Sequence, residues 1–135
     1  MDSSTLNIWA ILLASLVGFA VGALWYSPLL FANVWMRETG LDEAKIRSAN
    51  MPKIFSLSFV FLFIMAFCLA MFLNTPETHA GTGALYGFLT GFGWLLFAFA
   101  VTGLFEQRSW RYILIHGGYW TVVFTLMGLI LGAWR

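Results

Sequence analysis

Formal charge is confined to a few places along this chain. After Asp2 the next charged side chain is Arg37, and the intervals 54–76, 78–105 and 112–134 contain no Asp, Glu, Lys or Arg. Each of these intervals is a long, mostly apolar run. A helix rising 1.5 Å per residue needs about 20 such residues to cross a hydrocarbon core of ~30 Å. The pattern predicts four spanning helices, near 6–27, 53–73, 79–104 and 111–134. Segments such as Phe59-Val60-Phe61-Leu62-Phe63-Ile64-Met65 are apolar at every position. That excludes the alternation of barrel strands and fits helices immersed in lipid. The expected fold is all-α, a single membrane-embedded domain over residues 1–135 built as a four-helix bundle.

Composition agrees. Hydrophobic residues make up 61% of the 135 residues and charged residues 10%, against roughly 45–50% and about 25% in soluble domains. So few charges cannot cover a soluble monomer of this size. The net charge of +1 gives no general attraction to nucleic acid, and none is expected as a partner. The first span has no Lys or Arg before it and is long, unlike a cleaved leader.

The positive residues orient the bundle. Arg37, Lys45, Arg47, Lys53, Arg108 and Arg111 fall in the two connections on one side, whereas Arg135 is alone on the other. The positive-inside rule then places both termini outside the cytoplasm of a bacterial inner membrane.

Between the first two spans, 29–50 reads as an interfacial segment. Leu29, Leu30, Phe31, Val34, Trp35 and Met36 suit a short helix lying on the membrane surface, with Gly40 as its stop. A polar turn or short helix over 42–47 follows, with Glu43 and Arg47 at i,i+4 spacing. Asn50 and Pro52 suit the start of span two. Thr75 as N-cap and Pro76 as first helical residue would start span three at once, making spans two and three a tight antiparallel hairpin. Trp9, Trp25, Tyr26, Pro28 and Trp35 are the expected interface anchors, since amphipathic rings favour the headgroup zone.

Small residues recur at helical spacing: Ala10, Ala14, Gly18 and Gly22 in span one, Gly83, Gly87 and Gly91 in span three, and Gly117, Thr121, Thr125, Gly128 and Gly132 in span four. Such rows let backbones approach closely. Spans one, three and four are therefore expected to form the tight core, with Phe-rich span two peripheral. The same rows are candidate surfaces for a homo-oligomer or a larger membrane complex.

Chemistry is sparse. No metalloprotease HExxH, phosphate-binding GxxxxGK or nucleophile-elbow GxSxG pattern occurs, and no carboxylate lies within a span. The single cysteine, Cys68, forms no intrachain disulfide. No cofactor and no metal site are expected. His116 is the one ionisable residue well inside a span, about 7–8 Å beyond Arg111 along the helix. Tyr112, His116 and Trp120 share a face with Tyr119 beside them, a candidate ligand pocket; a hydrogen-bonded structural imidazole is the simpler alternative. Glu106, Arg108 and Arg111 lie at the boundary, within reach of a salt-bridge cluster with Arg37 or Glu38.

Two stretches carry a family resemblance. Gly22-Ala23-Leu24-Trp25-Tyr26-Ser27-Pro28-Leu29-Leu30-Phe31, continuing to Trp35-Met36, resembles the hallmark of the small bacterial family called domain of unknown function 1761. So does Leu104-Phe105-Glu106, with the later Gly118-Tyr119 pair and Gly128-Leu129-Ile130-Leu131-Gly132-Ala133-Trp134. The resemblance implies a four-span membrane protein and transfers no catalytic residue. Together these features point to a non-enzymatic membrane interaction module or accessory subunit. The second reading is a small transporter or a protein that binds a lipid- or quinone-like ligand.

Overall fold

The computed structural model describes residues 5–135. The elements in order are α1 (Ile8–Trp25), α2 (Ala32–Thr39), α3 (Glu43–Ser48), α4 (Met51–Leu73), α5 (Ala80–Thr90), a π-helical segment (Gly91–Leu96), α6 (Phe97–Phe105) and α7 (Trp110–Ala133). The described residues contain no strand. Four helices are long and apolar enough to cross a membrane: α1, α4, the continuous run Ala80–Phe105, and α7. This is a multi-pass membrane protein, and these four are spans one to four.

Local chemistry sets most of the boundaries. The Asn7 side chain accepts from the Trp9 and Ala10 amides and starts α1. Asp42 caps α3 through the Lys45 amide, and Asn50 caps α4 through the Lys53 amide. Each satisfies an amide that has no partner within its helix. Gly40 ends α2 in the left-handed region at φ 73°, where glycine carries no Cβ penalty. Span three departs from expectation. His79, not Thr75, is its N-cap: the His79 ring accepts from the Gly81 amide at 3.1 Å, while Thr82 Oγ1 accepts from the His79 amide at 3.0 Å. Thr75 and Thr78 instead bond each other across the turn at 2.8 Å, so the helix starts at Ala80, beyond Pro76.

Span four is the centre of the bundle. It packs against spans one and three and, less extensively, against span two. The buried cluster joins Ala10, Ile11 and Ala14 of span one, Leu62, Ala66, Leu69, Ala70 and Leu73 of span two, and Tyr119, Val123, Phe124, Met127 and Leu131 of span four. The buried side chains therefore come from spans one, two and four, so span two is not peripheral, while spans three and four make the most extensive helix contact, as their small-residue rows lead one to expect. Span three lies on the opposite side of span four from span one. From Gly83 to Gly91 its contact with span four is made by backbone, whereas farther along the Leu96 side chain packs on Gly117 and that of Ile113 on Gly103. A Cβ at Gly83 would fall on the Gly128 carbonyl, one at Gly87 on the Phe124 carbonyl, and one at Gly132 on the His79 carbonyl. In span one the small residues face side chains instead: a Cβ at Gly18 would meet Met127 Cε at 3.0 Å and Val123 Cγ1 at 3.2 Å. Spacing alone does not separate these two uses of glycine. Spans two and three do not pack along their length, which overturns the expected hairpin: each binds a different side of span four.

The ends of the bundle are tied. At one end Arg135 donates to the carbonyls of Thr78 at 2.9 Å and Thr75 at 2.6 Å, and Asn7 donates to that of Trp134. At the other, Ser109 Oγ donates to Glu38 at 2.6 Å while accepting from the Tyr112 amide. One hydroxyl thus caps span four and holds α2 beneath it.

Candidate functional site

Two regions of the bundle bear on function. The first is the corner after span one. Its backbone turns through bonds from the Tyr26 amide to the Gly22 carbonyl, the Phe31 amide to the Trp25 carbonyl and the Ala32 amide to the Ser27 carbonyl. The Ser27 hydroxyl donates to the Leu24 carbonyl at 2.6 Å. Pro28 follows, where the missing N–H does no harm. This geometry aims Trp25 and Tyr26 inward. The Trp25 indole donates to the Ile115 carbonyl at 2.9 Å, and the Tyr26 hydroxyl lies 2.7 Å from His116 Nδ1. Trp35 sets its edge on the Tyr26 ring at 5.3 Å. Trp25 and Tyr26, taken from sequence as headgroup anchors, spend their polar atoms on span four. The strongly exposed tryptophans near span ends are Trp9, at 65%, and Trp110, at 62%.

The four residues of the predicted pocket lie in one chain of ring contacts that runs through Tyr26. His116 stacks on Phe99 at 5.6 Å and meets the Tyr112 edge at 4.5 Å. Tyr119 lies 5.5 Å from Tyr26 and donates to the Gly18 carbonyl at 3.1 Å. The Trp120 ring meets Tyr119 edge to face at 4.8 Å, and its backbone carbonyl lies against Gly91 of span three. Aromatic rings fill the space around the imidazole. The Tyr26 hydroxyl and His116 Nδ1 share one hydrogen bond, in which the imidazole tautomer decides which of the two donates. The arrangement is a cross-link between the end of span one and the second turn of span four. Sequence separation of 90 residues hid the Tyr26–His116 partnership. The expected salt-bridge cluster is replaced: Glu38 meets Ser109, Arg108 pairs with Glu106 at 3.5 Å, and the Arg108 guanidinium sits 5.0 Å over the Tyr112 ring.

The second region went unseen in the sequence. The separation of spans two and three leaves an open groove of about 410 Å³. Met65, Cys68 and Phe72 form one wall, and Tyr86, Thr90 and Trp94 the other, with Phe124 of span four at the floor. The π-helical segment begins at Gly91, within this second wall. Its wider turn winds the chain less per residue, countering the drift of i,i+4 positions around an α-helix. Tyr86, Thr90 and Trp94 therefore stay in line along the groove. Trp94, the fifteenth residue of the 26-residue span, is 69% exposed at mid-span.

The family model for Protein of unknown function (DUF1761) matches residues 9–132. The chain belongs to this family. No curated protein and no solved structure matches it. The DUF1761 match takes in the Trp25-Tyr26-Ser27-Pro28 corner, His116 and both walls of the groove.

Proposed function

We propose that this DUF1761 protein is a non-enzymatic interaction module of the bacterial inner membrane, and that it engages its partner through the face between spans two and three. The observation that carries this reading is the separation of those spans on either side of span four, leaving a preformed concavity at the side of a tied bundle. Pockets of this size with apolar walls and a few polar atoms are characteristic binding surfaces. The glycine rows support no rival surface: those of span three and the facing positions of span four are taken up against each other. A homo-oligomer or a larger complex would then form across the mouth of the groove, on the exposed side chains of spans two and three that rim it, leaving its floor open. Both termini and the 74–78 turn lie outside the cytoplasm in this reading, supported by six Lys/Arg in the opposite connections against Arg135 alone.

Photo-crosslinking in the native membrane tests the proposal. A benzoylphenylalanine at Phe72, which is 63% exposed on the groove, is expected to give one discrete adduct. The same group at Leu16, 56% exposed on span one, is expected to give only unspecific lipid adducts. Indistinguishable products at the two positions overturn the reading.

A further inference from the structure

The groove wall carries two polar donors in an apolar setting. The Trp94 indole N–H and the Tyr86 hydroxyl have no hydrogen-bond partner among the described residues. Thr90 is satisfied, donating to the Tyr86 carbonyl at 2.8 Å. Tyr86 and Trp94 are 50% and 69% exposed. They lie eight residues apart, so roughly 12 Å along the span. Indole and phenol groups ordinarily sit at the membrane boundary, where water and headgroups satisfy them. At mid-span a hydrocarbon tail offers Trp94 no acceptor, and an unmet N–H there is costly. The π-helical segment holds this residue in line with the groove rather than turning it away.

Resting on the proposed interaction face, we infer that the groove between spans two and three binds a neutral, carbonyl-bearing lipophile whose acceptor oxygens meet Trp94 and Tyr86. The apolar walls of Met65, Phe72 and Phe124 take its hydrocarbon body. The volume falls within the ~300–1,000 Å³ of small-molecule sites. No charged residue lines the groove, so the ligand is uncharged where it sits. Depth separates it from a phospholipid, whose ester carbonyls stay near the headgroups while Trp94 lies at mid-span.

The test uses the full chain in vesicles of diether phosphatidylcholine, which lack ester carbonyls, with decylubiquinone as probe. A bound ligand raises the unfolding midpoint with its concentration. The expected result is a saturable rise, with apparent affinity about tenfold weaker in Trp94→Phe and in Tyr86→Phe. Cys68→Trp, which fills the groove, is expected to abolish the rise, and Trp9→Phe to leave it intact. Equal titrations in all variants overturn the inference. So does stabilisation that appears only when diester lipid replaces diether, which assigns the groove to phospholipid. No response to the probe, together with a discrete protein adduct at Phe72, overturns the ligand and leaves the interaction face standing. Loss of both removes both.

Discussion

Replacing Gly87 by alanine tests how spans three and four are held together. The added Cβ would fall on the Phe124 carbonyl, with the carbonyl carbon at 2.8 Å and Thr125 Cα at 3.2 Å. These are backbone atoms, so relief requires the two helices to move apart along the seam that also contains Gly83 and Gly128. Overpacking of this kind costs about 1–3 kcal/mol, from which the better helix propensity of alanine subtracts roughly 1 kcal/mol. A net loss of up to about 2 kcal/mol is expected. Gly18→Ala is expected to cost less, because its obstructions are the ends of Met127, Val123 and Leu62 side chains at 3.0–3.4 Å. Gly93→Ala meets nothing within 4 Å and is expected to be neutral or slightly stabilising. The assay is reversible unfolding in mixed micelles, followed by circular dichroism. Equal stability of the three variants, or Gly93→Ala as the most damaging, would refute backbone contact as the basis of the seam.

Other outcomes follow from the same structure. Tyr26→Phe removes the hydroxyl 2.7 Å from His116 Nδ1 and is expected to cost about 1–2 kcal/mol. In a double-mutant cycle with His116→Ala, coupling of about 0.5 kcal/mol or more supports the cross-link, and additive losses contradict it. Ser109→Ala loses both a helix cap and the bond to Glu38. It is expected to cost roughly 0.5–2 kcal/mol and to speed hydrogen exchange in α2 and the first turn of span four; unchanged exchange in α2 would contradict the link. Arg135→Ala, which frees the Thr75 and Thr78 carbonyls, is expected to raise proteolysis of the 74–78 turn while leaving α2 unaffected.

Spans and caps were legible in the sequence because they depend on local chemistry. Charge placement marked the four crossings, and Gly40 and Asn50 marked helix ends for the reasons the structure displays. Helix partners were less legible. In a soluble helix, polarity shows which side faces the core; spans apolar all round do not, so only residue size remains. Size suggested that span three joined the core and span two did not. The structure keeps span three tight against span four, where Gly83 and Gly87 receive backbone, but adds span two, whose Ala66 and Ala70 lie in the buried side-chain cluster. The start of span three was misplaced because histidine is an uncommon N-cap and Thr75-Pro76 imitates a commoner one. Of the candidate site, helical spacing alone gave the contacts Tyr112–His116 and Tyr119–Trp120 on span four. Their partner Tyr26 and the groove depend on tertiary arrangement alone.

Native mass spectrometry of the full chain, released gently from its own membrane, tests the interaction reading most directly. The account predicts a defined assembly or a discrete bound mass in the natural protein, and its loss in Cys68→Trp with the fold intact. A bare monomer, identical in the natural protein and the groove-filled variant, would contradict it.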